Sequence, residues 1–383
     1  MRLTYKYRLY PTPTQADALR AQLRAACDLY NAALQERRSA WQVCRTSLNY
    51  YDQANQLKAM RAEGLIGVAN YGCCQDILRR VEKAYRGFFA RCRRGQRAGF
   101  PRFKSARRYD SLTFPTHGNG CRLLPAELRM QGVGVIDVEL HRPVVGAIKT
   151  LTILRDVDHW YLCVSVEQDA VPLPASDREV GIDVGLTTFA VLSDGRQIEN
   201  PRHLKRAAAH LRRCQRRLAR RTRGSHRRHK ARVLLAKALR KVKNQRRDFH
   251  HQASRAIVNT YGQIAVEHLA VKGLSAGRLA RSVNDAGWAS FFTKLAYKAE
   301  SAGRVLVTVD PRGTSQTCVC GATVRKTLDD RWHDCPACGL SAGRDFVSAD
   351  IVLQRARIEP SWHNVEASRS SVPREAVVIQ TDR

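Results

Sequence analysis

The sequence has no run of about 18 apolar residues, which argues against a membrane-spanning helix. Its opening, from Met1 to Arg8, lacks the apolar core of a secretory signal, so a soluble, intracellular protein with no membrane partner is expected. Acid is also scarce: Asp+Glu 34 stands against Lys+Arg 66, a net charge of +32. Such an excess implies a large polyanionic partner. The shortage is sharpest from 201 to 250, where about twenty Lys and Arg accompany one carboxylate, Asp248. Metal-ligand spacing is missing from eight of the twelve cysteines, Cys27, Cys44, Cys73, Cys74, Cys92, Cys121, Cys163 and Cys214. These are expected to be reduced, mostly buried thiols.

What is present divides a chain of 383 residues, too long for one core of ordinary size, into several units. Leu3, Tyr5, Tyr7 and Leu9 alternate with Thr4, Lys6 and Arg8, the signature of a half-buried strand ending at Pro11. Thr12 or Thr14 can cap a helix carrying Leu19, Leu23, Ala26, Tyr30 and Ala33 on one face, and helical spacing recurs to about Phe89. From Gly95 the pattern turns to strands, around Leu112 to Phe114, Val133 to Val138, Leu151 to Leu154 and Trp160 to Val166. Residues 171 to 177 read as a linker.

After it come a strand ending at Asp183, two more strands, and long basic helices joined at Gly224-Ser225 with apolar positions at Leu204, Leu211, Leu218, Leu234 and Leu239. The strand Gln263 to Glu267, a helix from about Asp285 through Trp288, Phe292 and Leu295, the strand Val305 to Val309, a cysteine-bearing insert and a helix opened by Asp345 complete the order. It is the element order of an RNase-H-like fold, with acids on the first strand, fourth strand and last helix. Carboxylates at the ends of apolar strands are costly unless a cation offsets them, and paired divalent metals do so in phosphodiester hydrolysis. Asp183, Glu267 and Asp345 are therefore the candidate catalytic acids and magnesium ligands. Singly, each has a plainer reading: a turn acid, a strand-end acid facing water, and a helix N-cap.

Cys318-x-Cys320 and Cys335-x-x-Cys338, each followed by glycine, suit a four-cysteine structural zinc site. The first pair is one residue short, which makes His333 a possible substitute for Cys318. No ligand position looks open, which argues against catalytic zinc. The basic segment can be a solvated face or a nucleic-acid contact with counterion release, and Arg212, Arg213, Arg216, Arg217, Arg220, Arg221, Arg227 and Arg228 are its candidate binding residues. The mixture of rings and cations at Tyr85 to Phe89 and Phe100 to Lys104 fits core aromatics flanked by solvated cations equally well.

Several segments carry a resemblance: the opening through Gln15 with Leu29-Tyr30-Asn31, Gly99 to Phe103, Gly181 to Gly185, Asn284 to Trp288, Thr314 to Cys318, and Arg344-Asp345. Together they resemble the TnpB (OrfB) family, transposon-encoded RNA-guided DNA endonucleases related to type V CRISPR effectors. The resemblance implies an α+β multidomain chain. A wedge β-barrel would be built from 1–10 and 96–172, with a helical recognition lobe, 11–95, inserted in it. A RuvC-like nuclease, 173–310, would carry the basic hairpin 201–255, followed by a zinc-binding target-nucleic-acid insert, 311–343, and a final helix, 344–358; the stretch 359–383 lacks periodicity and reads as a mobile tail on that ground. It further implies a guide RNA from the transposon end, a double-stranded target with a short flanking motif, Mg2+ and Zn2+ as cofactors, and a prokaryotic cytoplasmic setting. Two alternatives stand beside cleavage: a nuclease-dead RNA-guided repressor, and a transposase acting directly in strand transfer. One departure is Phe346-Val347-Ser348-Ala349, where many relatives carry Asn and Ala after the acid.

Overall fold

A computed structural model describes residues 1–327, 329–358 and the strand Val378–Ile379. The tail expected after Pro360 otherwise lies outside the described residues. The chain forms two compact units, meeting in sequence at Gln168 and Asp169, a few residues before the expected boundary at 172. No helix among the described residues is long and apolar enough to cross a membrane.

The first unit is an antiparallel sheet with a helical insertion. Its elements are β1 (Arg2–Tyr10), α1 (Pro13–Cys44), α2 (Tyr50–Ala62), α3 (Tyr71–Arg93), β2 (Ser111–Phe114), β3 (Cys121–Leu123), β4 (Glu127–Met130), β5 (Gly134–Glu139), β6 (Ala147–Asp156) and β7 (His159–Glu167). The short strands β3 and β4 are additions to the expected set. The strand order is β2-β6-β7-β1-β5-β4-β3, with Val378–Ile379 parallel beside Thr4 and Tyr5. The end strands β2 and β3 are not paired, so the expected barrel is a near-barrel sheet. Strand β1 differs from its half-buried expectation: Thr4 and Lys6 are buried as well as Leu3, Tyr7 and Leu9. Lys6 tolerates this because its Nζ lies 3.8 Å from the centre of the Tyr161 ring. Helix α1 starts where Thr12 accepts from the Gln15 backbone and the Gln15 side chain returns the bond, a reciprocal cap.

The second unit holds β8 (Glu179–Val184), β9 (Thr188–Leu192), β10 (Gln197–Glu199), α4 (His203–Ala219), α5 (His226–Thr260), β11 (Gln263–Glu267), α6 (Val271–Leu274), α7 (Ala280–Ala286), α8 (Trp288–Ser301), β12 (Val305–Val309), β13 (Trp332–Asp334), β14 (Ser341–Gly343) and α9 (Arg344–Ile358). The main sheet runs β10-β9-β8-β11-β12; β8, β11 and β12 are parallel, and β9 and β10 antiparallel. On one face Val180, Ile182, Ile264 and Val266 pack with Ile257, Phe291 and Leu295 in an apolar core. The helix expected from about Asp285 is two helices. Gly287, at φ +69°, ends α7 and starts α8, a left-handed position that glycine takes without strain.

The eight other cysteines divide more evenly than expected. Cys27, Cys73, Cys74 and Cys121 are buried, but Cys163 and Cys214 are half-buried and Cys44 and Cys92 exposed. The two exposed thiols occupy the ends of α1 and α3, where each helix leaves the packed interior.

Candidate active site and metal centre

Strand periodicity places the acids. On β8, Val180 and Ile182 enter the apolar core, so Gly181 and Asp183 take the opposite face; on β11, Ile264 and Val266 enter it, so Ala265 and Glu267 do likewise. The strands are parallel and in register through Ile182 and Val266, which leaves Asp183 and Glu267 side by side one residue further on. Helix α9 lies across this second face, with Val352 and Ala356 against Ala265 and Val309. It comes so near that a Cβ on Gly181 would stand 2.0 Å from the Ala349 carbonyl oxygen and 2.7 Å from the Leu353 nitrogen. Only glycine allows that approach. Asp345, in the first turn of α9, is delivered next to Gly185, where a Cβ would sit 4.0 Å from Asp345 Oδ2.

Asp183 is pushed well above the ordinary carboxylate range, first by burial and then by the charges of Glu267 and Asp345. Arg344 opposes the shift, and its Nε lies 3.7 Å from Asp345 Oδ1. Glu267 is raised by burial, against a hydrogen bond from Thr314 Oγ1 to Glu267 Oε1 at 2.6 Å and the nearby charge of Arg355. Thr314 is itself buried, and Arg355 anchors its loop by donating to the carbonyls of Asp310 and Arg312 at 2.7 and 2.8 Å. Composition and spacing assign no role to either residue. Both lie among other polar residues, Thr314 between Arg312 and Gln316 and Arg355 between Gln354 and Arg357, so their neighbours gave no signal.

The four cysteines form a tighter group. Cys318, Cys320, Cys335 and Cys338 bring their sulfurs within 4.8 Å of one another, with 3.6 Å between Cys318 and Cys338 and 3.7 Å between Cys320 and Cys335. Four thiolates about 2.3 Å from a tetrahedral zinc would be about 3.8 Å apart, so the donor set fits that ion. The short pair is accommodated by a tighter turn. Gly339 N donates to Cys335 O and Cys335 N donates to Leu340 O, whereas in the first pair the same bonds run from Gly321 N to Cys318 O and from Cys318 N to Ala322 O, one residue sooner. Both glycines have positive φ. His333 does not join the group: its Nδ1 is bonded to Lys326. Among the described residues the three carboxylates do not form such a tight group.

The basic helices α4 and α5 pack together as a hairpin with Gly224 at φ +86° in the turn. Arg212, Arg213, Arg216, Arg217, Arg220 and Arg227 are exposed, and Arg221 and Arg228 half-buried. Within the hairpin, Arg228 Nη1 donates to the Leu218 and Arg221 carbonyls at 3.0 and 2.6 Å and closes the end of α4. Leu234 and Leu239 depart from the expected apolar stripe: they are 42% and 46% exposed. The start of α4 is capped from elsewhere. Asp285 accepts from the Leu204 nitrogen at 2.8 Å and from the Lys205 nitrogen at 3.1 Å, in place of Arg202, which caps nothing.

Three family models match the chain: OrfB_IS605, described as "Probable transposase", over 161–277; "Cas12f1-like, TNB domain" over 288–351; and the OrfB_IS605 "Helix-turn-helix domain" over 1–45. A Streptomyces pristinaespiralis protein described as "Putative RNA-guided DNA endonuclease" is 31% identical, covering 97% of this chain and 95% of its own. Escherichia coli InsQ, with the same description, is 29% identical over 73% of each chain. A solved structure of "the mini-RNA-guided endonuclease CRISPR-Cas_phi3" aligns with a TM-score of 0.45 and 10% identity, over 94% of this chain and 92% of that one. With the recognised segments spread from the first strand to α9 and a relative matched along nearly its full length, the chain belongs to the TnpB (OrfB) family.

Proposed function

We propose that this chain is an RNA-guided DNA endonuclease of a transposable element, acting in the cytoplasm, with Asp183, Glu267 and Asp345 as the acids of a RuvC-type, RNase-H-like site. The observation that carries the reading is the juncture of two parallel strand ends and the first turn of α9, where burial and two neighbouring carboxylates hold Asp183 far above its usual range. Such a donor set fits divalent magnesium: oxygen ligands only, and negative charge that lacks enough nearby cation to offset it. Magnesium bound there would supply an activated water and stabilise the leaving oxygen. The chain's own contributions are distinct from this. Thr314 orients one oxygen of Glu267, Gly181 sets the depth of α9, and Arg344 lies beside Asp345.

The cysteine group would hold a structural zinc that shapes the 311–343 insert against target nucleic acid. The exposed arginines of α4 and the turn would bind guide RNA or the displaced strand through backbone phosphates. Base pairing would read the target, and the near-barrel sheet with its helices would read a short flanking duplex motif.

The test is to purify the chain with its RNA, sequence that RNA, and assay matched DNA in Mg2+. RNA mapping beside the gene and cleavage abolished by Asp183→Ala with target binding kept would support the reading. Binding by the unaltered chain without cutting would make it a repressor, and joining of transposon ends without RNA would make it a transposase. Zinc should measure about one ion per chain and fall in Cys335→Ser; equal zinc in both proteins would remove the four-cysteine zinc site.

A further inference from the structure

A cavity of about 440 Å3 opens among α5, α6, α7 and α8. Lys243, Arg246 and Arg247 reach it from α5, Lys272 from α6 and Lys294 from α8, and no carboxylate lines it among the described residues. None of the three candidate catalytic acids belongs to it. Five cations around one small volume repel one another, and the repulsion is strongest where water is excluded.

This arrangement differs from a solvated basic face in two respects. Lys294 is 8% exposed, its Nζ donating to Ser290 Oγ at 2.8 Å, and burial with the nearby Arg247 and Arg246 pulls its pKa down to about 8. His250, fully buried, lines the same cavity; its Nε2 serves the Ala286 carbonyl at 2.7 Å and its Nδ1 has no partner. Arg246 is held in place by a bond from its Nη1 to the Asn284 carbonyl at 2.8 Å. The cavity also adjoins the start of α8, a helix of 14 residues whose N-cap, Gly287, offers no side-chain acceptor. The positive end of that helix adds to the cations. The charged side chains of the lining are all cationic, which complements an anion. The volume suits a phosphate with its attached sugar, within the range of about 300–1,000 Å3 typical of ligand cavities.

We propose that this cavity binds a phosphate group of a nucleic-acid strand. Only the source of the phosphate depends on the function proposed above. The geometry requires an anion with several acceptor oxygens, whichever strand carries it.

Titration of the purified full chain with inorganic pyrophosphate, followed by calorimetry at fixed ionic strength, tests the site. Saturable binding is expected, weakened at least about tenfold in the double variant Lys243→Gln, Lys272→Gln, as loss of two charge-assisted donors requires. Both residues are exposed, so the fold should survive, and a thermal melt checks this. A matched neutralisation in the other unit, Lys58→Gln with Lys83→Gln, should leave binding unchanged. Absence of binding to the unaltered chain, no loss in the first pair, or equal loss in both pairs would overturn the proposal. Single strands of one sequence with a 5′-phosphate or a 5′-hydroxyl then separate the sources. A preference for the 5′-phosphate that the first pair abolishes assigns a strand terminus. Equal affinities, both weakened by that pair, assign an internal phosphodiester. Failure of DNA cleavage would count against the nuclease reading while leaving the pyrophosphate result intact.

Discussion

The two faces of the five-stranded sheet are built from alternate residues of the same strands and follow opposite rules. One face carries Val180, Ile182, Ile264 and Val266 under α5 and α8, a broad apolar core. The other carries Gly181, Asp183, Ala265 and Glu267 under α9, with only Ala265, Val309, Val352 and Ala356 in its buried cluster. Bulk on the first face supplies stability through buried area. Smallness on the second gives up that area and gains proximity, since α9 could not bring Asp345 to the strand ends across a layer of leucines. Apolar packing and the acidic residues thus occupy opposite sides of a sheet one residue thick.

The sharpest break in the comparison comes from Asp183→Asn. Cleavage should fall on the order of a hundred- to a thousand-fold, as when one member of a preorganised electrostatic site is removed. Thermal stability in a chelator should hold or rise, because the folded state raises this carboxyl's pKa and its ionised form is unfavourable at neutral pH. A variant that loses both activity and melting temperature would mean that the second face is structural after all. On the first face, Phe291→Ala should cost about 3–5 kcal/mol, visible in a denaturant melt, since Phe291 is fully buried against Phe189 at a 5.0 Å ring separation. A loss under about 1 kcal/mol, little more than one buried methylene is worth, would say that this core is not where stability resides.

Gly181→Ala tests the second face by volume instead of charge. The methyl group must displace backbone of α9, with an expected cost of about 1–3 kcal/mol. Cleavage should fall further than stability suggests, because a misplacement of about 1 Å can cost a hundredfold. Unchanged cutting by a folded Gly181→Ala protein would remove the reason given for this glycine.

These contrasts also mark what was legible in the sequence. The order of elements was readable, and it put the acids on the first strand, the fourth strand and the last helix. The burial of β1 on both faces was not, since period two reports a pattern without saying what covers the polar side, and Lys6 is sheltered by Tyr161 of β7, beside β1 in the sheet but far along the chain. Leu234 and Leu239 fail in the converse way: helical spacing offers an apolar stripe but cannot supply its partner. Thr314 and Asp285 were present in recognisable segments, yet their roles depend on where loops return. One meets Glu267 from 47 residues away, and the other caps a helix 81 residues back.

The smallest effect is a pH dependence seated on the packed face. His250 and His251 lie in α5 beneath α8, where burial lowers their pKa values to about 4 and about 3. Lys298 is lowered to about 7 by burial and by Arg255 and Lys294, while its Nζ donates to the His251 carbonyl at 2.6 Å. All three bind protons less readily folded than unfolded. Stability contributed by the neutral histidines is therefore complete above their unfolded value, near 6.5, and is lost as pH falls from there toward the folded values. Lys298 acts in the same direction, its loss beginning at higher pH and ending near 7. Between pH 7.5 and 6.5 the combined loss should be about 1 kcal/mol, steepening below, and calorimetric melts of the RNA-free chain in EDTA at those two values and at pH 5.5 would read it. The acids of the other face have raised pKa values and pull in the opposite sense, gaining stability as they protonate. A melting temperature that rises on acidification would thus show that the carboxylate face, and not the core face, governs the pH response of this sheet.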